Sequence, residues 1–257
     1  MMVIPTNHSI EVIPIARLAL ALVPVLAVVI LLFRWSLAYR QAIHAVARML
    51  AQLLLIGYFL VYLFKADSAW IVVAVLAVMV MAASWIALGT AGRRDRRLLA
   101  KAAVSIILGG GVTLLLITQG VLGLEPWYAP SSFIPLAGMI FANCMNGVSL
   151  AAERFHVELE KGSPYEEARN CALRAALIPI TNSLFAVGLV SLPGMMTGQI
   201  LLGVDPLIAV RFQIMVMCMV YGSAGIASAC FLTLSRPGAG QCSQRERGCP
   251  RGAGTRH

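Results

Sequence analysis

The sequence is poor in charge. Only 12% of its 257 residues are Asp, Glu, Lys or Arg, against about a quarter in a typical soluble domain. Hydrophobic residues make up 60% of the chain, and the mean hydropathy is +0.84. A soluble core could not bury this much apolar surface. Lipid is therefore the expected solvent, and the length divides into membrane spans of about 20 residues.

Acidic residues are especially scarce, with 11 against 20 basic residues. No Asp or Glu lies inside an apolar run, which argues against a proton-coupled carrier, since such a carrier normally loads its proton on a buried carboxylate or histidine. None of the three lysines follows Gly in a Gly-Lys-Ser/Thr string, so the chain has no P-loop. With no paired catalytic residues either, we expect a protein that is not an enzyme and binds no cofactor itself.

Seven apolar runs are long enough to cross a bilayer. They lie near 13–33, 45–64, 70–88, 102–121, 133–151, 180–203 and 208–234. The sequence therefore predicts an all-α, polytopic transmembrane bundle over residues 1–235. Residues 236–257 are rich in Gly and Arg without a periodic apolar face, and they predict a disordered cytoplasmic tail.

The basic residues lie between the apolar runs, where they set membrane topology rather than bind nucleic acid. Only Arg17, Lys65 and Arg211 fall on one side of the predicted bundle. The other 17 fall on the opposite side: Arg34, Arg40, Arg48, Arg93, Arg94, Arg96, Arg97, Lys101, Arg154, Lys161, Arg169, Arg174, Arg236, Arg245, Arg247, Arg251 and Arg256. Because cytoplasmic loops carry the basic excess, we expect the N-terminus outside and the C-terminus inside.

The connection 152–179 is the longest on the predicted inner side. Its first part extends the fifth span and stops at Gly162. Ser163, Pro164 and Glu166 then form a capping-box pattern, with Ser163 as N-cap, Pro164 first in the helix and Glu166 three residues after the cap. The second helix, supported by Glu166 and Arg169 at i,i+3, is expected to end at Pro179. Two helices would then meet at a sharp tip, which either transmits force from a soluble motor or merely links two spans.

The sixth predicted span is broken near its middle by Pro193. Proline has no N–H, so the carbonyl of Leu189 is expected to lose its helical partner, with Ser191 beside it. Interrupted spans present carbonyl oxygens to ions in many transporters. The alternative is a packing kink, because Gly194 and Gly198 form a Gly-x-x-x-Gly face suited to close helix contact.

The fifth span carries Asn143 and Asn146 on one helical face. Amides in a lipid-crossing helix need partners or a polar cavity, so these side chains either line a substrate path or bond neighbouring helices. Soft sulfur ligands are an alternative, although methionine in an apolar helix usually serves packing. The candidates are Met195, Met196, Met215, Cys218 and Met219.

Several segments resemble the FetB/YbbM-type iron-export ABC permeases of bacteria. The resemblance is carried by Arg48–Gln52 with Gly57 and Tyr58, Ile134–Ile140, Arg174–Pro179, Val187–Met196, and Asp205–Pro206 through Gln213–Ile214. It extends over residues 15 to 234, nearly everything except the tail. Similar plant proteins are associated with aluminium tolerance or nucleotide-sugar export.

The resemblance implies a permease in the bacterial inner membrane that works with a separate ABC-type ATPase. Two permeases and two ATPases are the expected assembly, with ATP bound by the partner, and iron is the expected cargo. It also implies that the 152–179 projection is the ATPase-coupling element, through Gly162, Ser163, Pro164, Glu166, Arg169 and Arg174. An ATP-independent carrier or channel, gated by the broken sixth span, remains the alternative.

Overall fold

The computed structural model describes residues 14–63, 68–90 and 95–236, and the regular secondary structure in these ranges is helical. The predicted all-α fold class is confirmed. In chain order the elements are α1 (Ile15–Leu20), α2 (Val23–Arg34), α3 (Tyr39–Leu63), α4 (Ala69–Thr90), α5 (Arg96–Ile106), π1 (Ile107–Gly111), α6 (Val112–Leu115), π2 (Leu116–Val121), α7 (Pro130–Glu160), α8 (Tyr165–Ala186), α9 (Gly194–Leu201) and α10 (Pro206–Leu234). The predicted tail lies outside the described residues, apart from Arg236.

The chain divides into two units, of which the first comprises residues 1–66. In this unit α2 packs against α3, and the rings of Phe33 and Tyr39 meet edge to face at the turn between them, with centroids 5.1 Å apart. No residue of α2 is buried within the chain. An apolar helix without buried residues is typical of a span whose surface faces lipid.

The second unit, residues 67–257, has its core where α4, the α5–π2 stretch, α7, α8 and α10 meet. Small residues let α10 approach its neighbours closely. A methyl group added at Gly147 of α7 would lie 2.6 Å from the hydroxyl oxygen of Ser228, and one at Gly109 of π1 would lie 2.5 Å from the backbone nitrogen of Ala227. Helices in lipid lack a hydrophobic drive to associate, so such close backbone contact holds them together.

Three buried hydroxyl groups in these apolar helices are satisfied locally. Thr113 donates to the carbonyl of Gly109 at 2.7 Å, and Thr118 donates to that of Leu114 at 2.8 Å. Ser84 likewise donates to the carbonyl of Val80 at 2.7 Å. A hydroxyl bonded to the carbonyl four residues earlier carries no unpaired donor into the membrane.

Six helical stretches in the described ranges are long and apolar enough to cross a membrane: Arg17–Arg34, Tyr39–Phe59, Ala69–Gly89, Arg96–Val121, Pro130–Glu160 and Pro206–Leu234. The prediction of one further run at 180–203 has the wrong boundaries. The helix there begins at Tyr165, ends at Ala186, and is separated from α9 by a non-helical segment. The number of spans and their orientation stay predictions.

Candidate functional site

The turn between α7 and α8, residues 161–164, forms the tip. It contains the glycine at which the sequence predicts the helix to stop. Helix α7 ends at Glu160, and Gly162 follows with φ of +89°, a left-handed conformation that favours glycine. The N–H of Gly162 bonds to the carbonyl of Leu159 at 3.1 Å, and the N–H of Ser163 bonds to that of Glu158 at 3.1 Å. This pair of bonds is a Schellman motif. The predicted helix stop at Gly162 is therefore confirmed.

The predicted capping box at the start of α8 is wrong. Pro164, not Ser163, is the N-cap residue; the helix begins at Tyr165, and no side chain caps it. The hydroxyl of Ser163 instead donates to Oε2 of Glu158 at 3.3 Å. Pro164 has φ of −62° and ψ of 154°, which keep it in the extended region immediately before the helix. Ser163 therefore ties the tip back onto α7 rather than capping α8.

Glu158 is the centre of an ion-pair cluster on the α7 side of the tip. Its side chain is 12% exposed, and its Oε1 lies 2.7 Å from Nη2 of Arg154 and 3.3 Å from Nζ of Lys161. With the hydroxyl of Ser163, three donors converge on this carboxylate. Arg154 also reaches across to α8, where its Nε donates to Sγ of Cys171 at 3.4 Å. The cluster fixes the last turns of α7 to the tip and to α8.

A groove of about 700 Å³ opens beside the tip. It is lined by Pro164, Tyr165, Glu166, Glu167, Asn170, Cys171, Arg174 and Arg236. Three of the residues predicted for ATPase coupling, Pro164, Glu166 and Arg174, therefore share one surface. The expected support of Glu166 by Arg169 is wrong, because the guanidinium of Arg169 donates to Oδ1 of Asn170 and lies over the ring of Tyr165.

Tyr165 joins the tip to α10, a role that the sequence analysis missed. Its hydroxyl donates to the carbonyl of Leu232 at 3.1 Å. Its ring meets that of Phe155 edge to face, with centroids 5.9 Å apart. The guanidinium carbon of Arg236 lies 5.5 Å from the ring centroid. The C-terminal end of α10 is thus on the same side of this unit as the tip. An aromatic residue directly after the Ser-Pro turn was the signal in the sequence.

Helix α8 continues past Pro179, where the sequence analysis predicted its end. It runs to Ala186 with Pro179 inside, and the hydroxyl of Ser183 donates to the carbonyl of Pro179 at 3.1 Å. Proline removes one backbone bond, and membrane helices tolerate this where neighbouring helices and hydroxyl groups satisfy the freed backbone. The 22 residues of α8 extend over about 33 Å at 1.5 Å per residue, but α8 is not among the six stretches of the described chain that are apolar enough to cross a membrane.

Asn143 and Asn146 line one small cleft between α7, α8 and α10. The cleft has a volume of about 110 Å³. Its other lining residues are Gly147, Leu150, Ala176, Pro179, Ile180, Ser183 and Ala224. The expectation that the two amides share a helical face therefore holds in the structure. Their role in a substrate path stays a prediction.

The break before α9 differs from the predicted kink. Helix α8 has already ended at Ala186, so Pro193 does not free a carbonyl of Leu189 inside a helix. Leu189 is 90% exposed in a turn closed by the bond from the N–H of Gly188 to the carbonyl of Ser191, at 3.0 Å. Pro193 is the N-cap of α9. None of these three predicted path residues lines the cleft of Asn143 and Asn146.

The Gly-x-x-x-Gly face of α9 makes no close contact within the described chain. A methyl group added at Gly194 or Gly198 would meet nothing within 4 Å. Met195 and Met196 of the same helix do not line the cleft either. Among the described residues, no three His, Cys, Asp or Glu side chains form a group that could hold a metal ion.

Residues 15–238 match an uncharacterised protein family, UPF0014. The chain belongs to this family. It is 37% identical over 197 residues to a UPF0014 membrane protein of Synechocystis, a match that spans 70% of this chain and 75% of the relative. It is 34% identical to the "probable iron export permease protein FetB" of Escherichia coli, over 84% of this chain and 89% of the relative.

A plant relative is similar over nearly the same length. The chain is 35% identical to the protein ALUMINUM SENSITIVE 3 of Arabidopsis thaliana, over 82% of this chain and 81% of the relative. No solved structure matches the chain. Family membership and the apolar helices together establish a multi-pass membrane protein.

Proposed function

We propose that the chain is the permease subunit of an ABC-type exporter of a metal cation, with iron as the first candidate. The relative in Escherichia coli that carries an iron-export name matches 84% of this chain. In this proposal a separate ATPase subunit binds and hydrolyses ATP, and two permeases and two ATPases form the transporter in the bacterial inner membrane. The chain itself binds no cofactor.

The α7–α8 tip is the observation that supports this proposal most directly. A subunit that accepts force from a soluble motor needs a projection that does not bend at its base. Here the Schellman turn at Gly162 and the converging donors on Glu158 fix the tip to α7. The hydroxyl bond of Tyr165 fixes it to α10. Motion at the tip would therefore move two core helices together.

The groove beside the tip supplies a surface of mixed charge for the partner. Glu166, Glu167, Arg174 and Arg236 line it, so both signs of charge are available to complementary groups. Charged groups on such surfaces set orientation and partner choice more than total affinity. We propose that the ATPase docks here, with Gly162, Ser163 and Pro164 at the leading edge and Arg169 on the flank.

Reconstitution tests the proposal. The chain is co-expressed with a candidate P-loop ATPase from the same genome, and both are placed in proteoliposomes that enclose an Fe²⁺-quenched dye. We expect quenching that requires external Fe²⁺, hydrolysable ATP and both subunits. Cysteines introduced at Ser163 and Glu167 are expected to crosslink to the ATPase. ATP-independent Fe²⁺ movement by the chain alone would favour the carrier or channel instead.

A further inference from the structure

The cleft lined by Asn143 and Asn146 combines oxygen atoms from two helices at one depth. We propose that it is the cation-contact site of this permease and holds a partly dehydrated divalent cation through neutral oxygen atoms. The inference rests on the proposed transport function and adds the site and the mode of contact. The proposed site includes residues in the middle of α8. It does not include Leu189, Ser191 and Pro193, the residues at the break before α9 that the sequence predicts for the path.

The lining residues of α7 and α8 lie at similar distances from the tip along their helices. Asn146 lies 14 residues before the end of α7 at Glu160, and Pro179 lies 14 residues after the start of α8 at Tyr165. At 1.5 Å per residue both are about 21 Å from the tip. Asn143 and Ser183 are about one turn farther along their helices. The cleft is therefore remote from the tip, and its lining residues on α7 lie within the apolar stretch Pro130–Glu160.

The side-chain geometry leaves oxygen atoms available for a ligand. Nδ2 of Asn143 donates to the carbonyl of Met139 at 2.8 Å, which leaves its Oδ1 as an acceptor. The hydroxyl of Ser183 donates to the carbonyl of Pro179 at 3.1 Å, so its lone pairs also remain. Asn146 is exposed on the cleft wall. Oxygen is the ligand that hard divalent cations take in proteins.

Pro179 adds a backbone oxygen to this set. Proline has no N–H, so the carbonyl of Ala175 has no helical donor four residues on. Residues four apart share a helical face, and Pro179 and Ala176 both line the cleft. The carbonyl of Ala175 is therefore next in sequence to the lining residue Ala176, although Ala175 itself is not among the lining residues. The sequence predicts such a freed carbonyl at Pro193, but in the structure Pro179 lies inside a helix and Pro193 does not.

The volume of the cleft and its lack of charged lining residues suit a site that a cation passes through rather than one that holds it tightly. Its volume of about 110 Å³ has room for a cation with several waters, since one water occupies about 30 Å³ in the liquid. None of the lining residues is charged. Neutral oxygens replace only part of the ion's hydration, so the ion binds weakly and is released.

Variants that remove a lining oxygen or give it a charge test the site in the proteoliposomes described above, with Fe²⁺ as the probe. Asn146→Leu and Ser183→Ala are each expected to raise the Fe²⁺ concentration for half-maximal ATP-dependent quenching by about tenfold. Asn146→Asp should lower that concentration, because a carboxylate attracts a cation, and it should also lower the maximal rate by retarding release. The matched control is Asn182→Leu, the same amide loss on α8 outside the cleft lining.

The outcomes separate the two proposals. If the wild-type pair shows no ATP-dependent Fe²⁺ movement, the proposed function fails. If the wild type transports while Asn146→Leu and Ser183→Ala match it, the site is wrong although the function stands. If Asn146→Asp raises the half-maximal concentration, the cleft does not contact a cation. The Asp variant decides the matter even where the Leu variant does not fold.

Discussion

The hydroxyl of Tyr165 donates a hydrogen bond of 3.1 Å to the backbone carbonyl of Leu232. This bond joins the first residue of α8 to the last turn of α10, 67 positions later in the chain. Leu232 is fully buried. Its carbonyl also lies among the last four of α10, which have no donor within their own helix. Tyr165 thus satisfies a helix end while it anchors the tip.

Removing the hydroxyl of Tyr165 is expected to weaken the coupling of ATP hydrolysis to transport without unfolding the protein. Tyr165→Phe keeps the ring that contacts Phe155 and Arg236, and it loses one hydrogen bond worth about 1 kcal/mol. The Fe²⁺ moved per ATP hydrolysed should fall, while the ATPase rate is retained. The control is Tyr128→Phe, which removes a hydroxyl just before the start of α7 at Pro130. An unchanged ratio in Tyr165→Phe would mean that the bond serves stability alone.

Gly162 is expected to be required for the angle of the tip. Its φ of +89° is unfavourable for other residues, and a methyl group there would meet nothing within 4 Å. Gly162→Ala therefore introduces only backbone strain, about 1–2 kcal/mol. With Pro164→Ala as well, we expect ATP hydrolysis without transport at normal membrane abundance. Gly222→Ala, a helical position with equally open space, should transport normally.

Much of the fold can be predicted from the sequence, because a helix in lipid must satisfy its own backbone hydrogen bonds. A sufficiently long apolar run is therefore enough to indicate a membrane helix. The stop at Gly162 followed from the left-handed residue that a Schellman turn needs. The predicted end of α8 at Pro179 is wrong, because a proline inside a membrane helix does not have to end it. At Pro179 the helix continues, and it ends instead seven residues later at Ala186.

The candidate site was only half predictable. Spacing placed Asn143 and Asn146 on one face of α7, since residues three apart are neighbours on a helix. Helical spacing does not predict which helix packs against that face of α7. Pro179 and Ser183 line the cleft because α8 folds back at the tip and continues through its proline. Tyr165 was missed for the same reason, because its partner Leu232 is distant in sequence.

Reporter fusions are expected to place the tip and the C-terminal end of α10 on the same, cytoplasmic side. The bond between Tyr165 and Leu232 requires one side for both, and the basic residues favour the cytoplasm. Reporters inserted after Gly162 and after Ser235 should both be cytoplasmic, and one between Asp67 and Ala69 should be outside. Finding the reporter at 67–69 on the same side as the one after Ser235 would contradict the predicted topology.

Gly147 is expected to be the least replaceable glycine of α7. A methyl group there would lie 2.6 Å from Oγ of Ser228 and 3.2 Å from the backbone carbonyl oxygen of Ala224, so Gly147→Ala must displace the Ser228 hydroxyl and crowd the backbone of α10. Overpacking of this kind costs about 1–3 kcal/mol. The midpoint of thermal unfolding in detergent should fall by several degrees, because a change of about 1 kcal/mol corresponds to about 2–4 °C in a domain of this size.

Gly138→Ala on the same helix is the matched control for this packing contact. Its added methyl group would meet only Cε of Met79, at an ordinary 3.5 Å, and alanine is the better helix former by about 1 kcal/mol. The control should therefore unfold at or above the wild-type temperature. Since Gly147 also lines the cleft, Fe²⁺ transport by Gly147→Ala should fall more than its stability loss explains. Equal midpoints for the two variants would show that α10 does not approach α7 closely at Gly147.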